Sequence, residues 1–139
     1  MIRKLFSPAS WSVNATDWAS LILRLTFGLL MLSHGIPKLM KLMNGTMEFG
    51  DPIGIGVPAS LALTVFAEVL CSVLLIIGLW ARLALIPPII TMAVAVFIVH
   101  INDVLEIMEL AWMYLLSYCA LFLLGSGQYS VDRILKRKA

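Results

Sequence analysis

The sequence predicts an all-α integral membrane protein, a four-helix bundle with both the N- and C-termini on the cytoplasmic side. Hydrophobic residues make up 61% of the chain and charged ones only 13%, and the mean hydropathy is +0.99, far from the balance of a soluble domain. The apolar residues fall into about four runs of some twenty, the length a helix needs to cross roughly 30 Å of hydrocarbon. Runs such as Leu83 to Val99 and Leu110 to Leu124 are apolar on all sides, which excludes the alternation of a transmembrane β-barrel.

The 139 residues are expected to form one membrane domain, with spans at about 18–40, 59–80, 82–101 and 105–125. The first helix starts near Asp17 or Ser20, with Trp18 at headgroup level, and passes through Ser33, His34, Gly35, Ile36, Pro37 and Lys38, with a kink expected at Pro37. A Gly- and Pro-rich loop, Asn44 to Pro58, carries Met47, Phe49, Ile53 and Ile55 and is expected to lie along the membrane surface. The second helix, Ala59 to Leu79, is interrupted only by Glu68; the short Trp80-Ala81-Arg82 link makes the third an antiparallel neighbour. The third runs from Leu83 to His100 with Pro87 and Pro88 in its first turns. After Asn102 and Asp103 the fourth extends over Leu105 to Leu124, closed by Gly125-Ser126-Gly127.

In the tail, 129–139, Val131, Ile134 and Leu135 oppose Arg133, Lys136, Arg137 and Lys138, the pattern of an amphipathic helix on anionic headgroups. Arg3 and Lys4 are separated from the first apolar run by polar residues, so no signal peptide is read and the N-terminus is expected to be retained. There is no internal repeat and no second domain. Arg3, Lys4, Arg82, Arg133, Lys136, Arg137 and Lys138 share one side while Glu48, Asp51, Asp103 and Glu106 fall on the other, which places both termini inside by the positive-inside rule. Lys38 and Lys41 break that pattern, and a site at the outer end would account for them.

Polar residues converge at that end. His34 and Lys38, four apart, share one face of the first helix; His100 closes the third; Glu106 and Glu109 share a face of the fourth. These predict a polar cavity opening outward. Deeper lie Arg24 and Glu68, each costing roughly 2.5–3.5 kcal/mol on insertion scales if left alone, so the two are expected to pair or to share a wet cavity. Tyr114, Ser117 and Tyr118 add hydroxyls to the same interior. Each has a plain structural alternative: Arg24 and Glu68 as interhelical glue, His34 and His100 as backbone-bonded helix ends, Lys38 as a snorkelling cation, Glu106 as a solvated N-terminal carboxylate. Of the two glutamates, Glu109, a turn further in, is the better functional candidate. Cys71 and Cys119 lack CxxC spacing and read as small packing residues, a spatial pair between them being the minority alternative. Trp18, Trp80 and Trp112 read as interfacial or packing aromatics, and the methionines as gap fillers.

The stretch Arg24-Leu25-Thr26-Phe27-Gly28, then His34-Gly35 and Lys38, Glu68 before Leu74-Leu75-Ile76-Ile77-Gly78-Leu79, and the closing Gly125-Ser126-Gly127-Gln128-Tyr129-Ser130-Val131-Asp132 resemble the DoxX family. The likeness runs from about Trp18 to Leu135. It implies a small four-span protein of the bacterial inner membrane, in a family some of whose members are linked to thiosulfate:quinone oxidoreductase or to resistance to oxidative and quinone stress.

Three functions are compatible with these residues. The first is a redox-associated subunit that binds a quinone between its helices, as part of a quinone-linked oxidoreductase if it is an enzyme; His34 and His100 donate or carry protons, Lys38 faces a reduced oxygen, Glu68 or Glu109 relays, with Arg24 as charge partner of Glu68 and with Tyr114 and Tyr118 beside the cofactor. Electrons would then come from another membrane or redox protein. The second is a metal site of His34, His100 and Glu68 or Glu109, although no pair has local ligand spacing. The third is an accessory or scaffold subunit whose polar cluster only specifies helix pairing. The bilayer is the expected partner throughout, self-association is left open, and nothing points to nucleic acid.

Overall fold

Helix α1, Val13–Met43, is much the longest at 31 residues and runs unbroken through Pro37, a residue a membrane helix tolerates because its neighbours satisfy the freed carbonyl. The structure, a computed structural model, describes residues 13–138; Arg3, Lys4 and the reading of a retained N-terminus lie outside them. Helix α2 spans Val57–Ile77, α3 Ala81–Val99 and α4 Leu105–Leu124. With α1 these are four helices long and apolar enough to cross a membrane, about 30 Å each for the three of some twenty residues at 1.5 Å per residue. A short helix α5, Val131–Lys138, ends the chain. Pro87 and Pro88 lie inside α3 rather than at its start.

The helices pack in a ring, each on its sequence neighbours, with α4 closing back onto α1. The centre is filled by Met31, Leu75, Leu85, Val96, Tyr118 and Leu121, among others. Large side chains such as Ile22, Leu29, Leu116 and Leu123 point outward, as expected where the surrounding solvent is lipid. Cys71 is buried but Cys119 is exposed, and both are free; Cys119 is therefore not a packing residue, and the two do not pair.

Two features shape the bundle at the end opposite the termini, here the loop end. Gly28 and Gly35, seven apart on α1, meet α2 at close range. A Cβ added at Gly35 would lie 2.8 Å from Val69 Cγ2 and 2.9 Å from Glu68 Cβ, and one at Gly28 would lie 2.6 Å from Ile76 Cγ1. Small residues of this kind let membrane helices approach backbone to backbone. The second feature is a pair of π turns, Phe66–Leu70 in α2 and Ala95–Val99 in α3, each of which widens its helix locally and re-aims the side chains beyond it.

Gly35→Val should destabilise the folded bundle by about 1–3 kcal/mol through overpacking, whereas Gly50→Ala, with nothing within 4 Å of its Cβ position, should leave it unchanged. Unfolding of the purified protein in mixed micelles by denaturing detergent measures both.

Candidate functional site

At the loop end a cavity of about 430 Å³ opens among all four spans, beneath the connection from α1 to α2. Its lining is mostly apolar, with Met31, Leu63, Met92, Val99, Leu110 and Phe49 contributing. Five ionisable or phenolic side chains face it: His34, Lys38, Glu68, His100 and Tyr114. Both π turns border it, the first through Glu68 and the second through Ala95 and Val99, which lead into His100.

The strongest polar contact is between Lys38 and Glu68. Lys38 Nζ donates to Glu68 Oε1 at 2.5 Å and Oε2 at 2.7 Å. The carboxylate is 3% exposed and the lysine side chain 30%, so the pair reaches the cavity from the lysine side. The reason lies in helix geometry: Glu68 sits on the π turn directly against Gly35, and Lys38 is one turn further along the same helix. His34 stands on that face too, edge-on to Tyr114 with ring centroids 6.0 Å apart. Phe49 from the loop sits 6.0 Å from Lys38 Nζ, at the outer limit of a cation–π contact. His100 Nδ1 lies 2.6 Å from Asp103 Oδ2. An ionised carboxylate only accepts, so Nδ1 is the donor there and Nε2 is left for other partners.

The loop over the cavity is tied down by Asp51. Its carboxylate accepts from the Ser60 hydroxyl at 2.7 Å and from the amides of Gly56 at 2.8 Å and Ile55 at 3.0 Å. The Ser60 hydrogen bond, followed by that of Gly56, holds the Asp51 carboxyl below the usual carboxylate range.

Arg24 takes no part in this site. It is fully buried toward the other end, where Nη2 donates to Tyr129 O at 2.5 Å and Nη1 to Leu75 O at 3.4 Å. The expected pairing of Arg24 with Glu68 is thus overturned: Glu68 lies level with Gly35 and Arg24 level with Gly78, and the 11 residues from 24 to 35 separate them by about 16 Å along α1. The closing Gly-Ser-Gly-Gln-Tyr-Ser-Val-Asp segment ends α4 and leads into the amphipathic α5, as expected, and in addition packs against this end of the bundle. Ser20 Oγ donates to Gly125 O at 2.7 Å, Gln128 N to Asp17 Oδ1 at 3.0 Å, and the Asp132 carboxylate accepts from Trp80 N at 2.7 Å and Ala81 N at 3.2 Å.

Of the other expected residues, Glu106 and Glu109 are exposed and stand off the cavity stripe of α4 formed by Ile107, Ala111 and Tyr114. Tyr118 is fully buried below the cavity, with its hydroxyl 3.5 Å from Phe27 O. Among the described residues no three of His, Cys, Asp and Glu come together as a metal site, so the His34, His100 and carboxylate set lacks the convergence it requires. The Lys38–Glu68 pair was missed because depth along separate helices was judged without the close α1–α2 contact; the signal available was Gly35 itself, a small residue one turn before the lysine.

Lys38→Met should cost on the order of 2–3 kcal/mol of stability, less than the roughly 3–5 of a fully buried pair because the ammonium is partly exposed. The double variant Lys38→Met/Glu68→Gln should recover much of that loss, and a double-mutant cycle on unfolding free energies measures the coupling. A second expectation concerns pH. Because the folded Asp51 carboxyl titrates below its unfolded value, its hold on the loop is fully present above pH of about 4 and is lost as pH falls through the folded value. Hydrogen exchange of the 51–60 amides should therefore be level above pH 5, once corrected for intrinsic rates, and accelerate in stronger acid; Asp51→Ala should show the accelerated rate at every pH.

The family model of DoxX matches residues 19–101, more than half of the 139. The matched segment takes in Arg24, Gly28, His34, Gly35, Lys38, Glu68, Gly78 and His100, and it stops before α4, short of the Trp18 to Leu135 expected. No curated protein and no solved structure gives a significant match. With most of α1 and all of α2 and α3 inside the matched segment, the chain belongs to the DoxX family.

Proposed function

We propose that this chain binds a quinone, or a molecule of the same build, in the loop-end cavity and serves a redox system as its quinone-interacting membrane subunit. The observation that carries this reading is the Lys38–Glu68 ion pair set in the wall of a mostly apolar cavity of about 430 Å³ within the spans. A small polar ring with an apolar tail matches such a site, since apolar walls supply burial and a few convergent polar groups fix orientation. Lys38 would donate a hydrogen bond to a ring oxygen, and Glu68, held against Gly35, would take up or release a proton beside it. His34, on the Lys38 face of α1, and Tyr114 beside it line the same cavity as further hydrogen-bonding groups. His100, braced by Asp103, leaves Nε2 for a second ring oxygen or for proton exchange with the loop side. The chain's own residues supply binding and protons, and the two electrons of quinone reduction would come from a partner protein.

The basic residues Arg82, Arg133, Lys136 and Arg137 at the other end support a cytoplasmic position for the termini, in keeping with a bacterial inner membrane. The accessory reading has its own support: the ion pair joins α1 to α2 at their closest approach, as interhelical glue would.

Extraction in mild detergent followed by mass spectrometry of the bound small molecules separates the two. The expected result is about one isoprenoid quinone per chain, lost by at least roughly tenfold in Glu68→Gln and His34→Ala variants that stay folded. Wild-type protein carrying no more quinone than an unrelated membrane protein prepared alongside, and taking up no added short-chain quinone, would sink the proposal in favour of the accessory role.

A further inference from the structure

The mechanism proposed above leaves unused a second concavity at the opposite end of the bundle. This groove, of about 580 Å³, lies between the α2–α3 turn, the end of α4 and α5, and is lined by Trp80, Arg82, Leu83, Leu124, the Gly125-Ser126-Gly127 turn, Asp132 and Lys136. Asp132 and Lys136 are four apart on α5 and so share one face. Asp132 is committed to the Trp80 and Ala81 amides, which turns that face toward the groove and brings Lys136 with it. The Arg82 guanidinium reaches the groove from the other side, lying over Gly125, whose added Cβ would be 3.5 Å from one of its nitrogens. Among the described residues neither Arg82 nor Lys136 has an ion-pair partner. The one carboxylate on the lining, Asp132, is held by the Trp80 and Ala81 amides and makes no ion pair with either cation, so the groove offers two unpaired cations and a net positive charge.

Around these cations the surface is apolar. Trp80, Leu83 and Leu124 are 62%, 64% and 42% exposed, and all three line the same groove. A tryptophan and two leucines beside two cations, at the end of spans long enough to cross hydrocarbon, combine what a lipid headgroup and its first acyl carbons require. Arg133 and Arg137 lie on an adjoining face of α5 and do not line the groove, where they serve as charges of a general kind.

We propose that this groove is a binding site for one anionic phospholipid, with Arg82 and Lys136 on its phosphate and with Trp80, Leu83 and Leu124 against its glycerol and upper chain. Anionic lipid is the occupant because the lining is cationic while the flanking surface is apolar; a soluble anion would have no use for the second. A bound lipid would clamp α5 to the α2–α3 turn, adding an external tie to the Asp132 caps.

The test uses the full chain, purified in a neutral detergent and supplied with phosphatidylglycerol or phosphatidylcholine, with bound lipid counted by native mass spectrometry. Wild type should retain one phosphatidylglycerol in clear preference to phosphatidylcholine. Arg82→Gln/Lys136→Gln should weaken that binding by about tenfold or more, while Arg133→Gln/Arg137→Gln, with the same loss of charge, should weaken it by less than about threefold. Circular dichroism and gel filtration establish that each variant is folded. Equal losses in the two double variants would reduce the effect to net charge and overturn the site, as would the absence of a headgroup preference in wild type. Displacement of the lipid by millimolar inorganic phosphate would assign the cations to a soluble anion and overturn it equally. Quinone content of the Arg82→Gln/Lys136→Gln variant should be unchanged, since that cavity lies at the other end.

Discussion

Charge inside hydrocarbon needs a partner from the protein, and the two places where this chain meets that requirement organise everything else. Toward the terminal end Arg24, buried and without a carboxylate in hydrogen-bond contact, donates from its two terminal nitrogens to the carbonyls of Leu75 and Tyr129, while its Nε is left without a hydrogen-bond partner among the described residues. Those carbonyls belong to α2 and to the segment before α5, so one guanidinium joins three parts of the chain. Gly78 makes this approach feasible: its φ of +71° turns the chain at the end of α2, and any Cβ there would collide with the guanidinium. Toward the loop end Glu68 is satisfied by Lys38. The same physical demand therefore yields a closed end, where backbone supplies the partners, and an open end, where the partner is a partly exposed lysine.

The open end is where chemistry is feasible. Glu68 is held by a lysine whose side chain is 30% exposed, so the ion pair is reached from the cavity. The π turns in α2 and α3 border the cavity, while the glycine contacts hold α1 and α2 together beside it. The loop over it is held by Asp51 and Ser60, outside the hydrocarbon, where a carboxylate can form three hydrogen bonds at modest desolvation.

The membrane class and the four spans were determined by sequence alone, because a run of about twenty apolar residues has few other stable solutions and each chain break is marked by Gly, Pro or charge. Helix ends agreed to within a few residues, apart from the start of α1, where Val13 precedes the expected Asp17. His34, Lys38 and His100 were legible as a cluster at the outer end, with Glu68 and Tyr114 read as deeper in the interior, and all five border the cavity. Which charge meets which was not legible. Arg24 and Glu68 were the two costly residues and so were paired with each other, but spacing along one helix says nothing about vertical offset between two, and that offset is set by Gly28 and Gly35 against α2.

The tertiary structure alone decided three further matters. It moved Glu109 out of the site, because the face α4 turns inward follows from its packing on α1 and α3 rather than from its own nearly uniform apolar sequence. It gave the closing Gly125 to Asp132 segment a structural role that its sequence does not mark, through contacts with Asp17, Ser20, Arg24 and Trp80 more than fifty residues away in sequence. It placed π turns at Glu68 and before His100, where local composition marks no irregularity. Hydrophobicity is a local property summed along the chain, so sequence determines whether and how often the chain crosses the bilayer; a buried charge is satisfied by whatever the fold brings beside it, and only the packed bundle decides that.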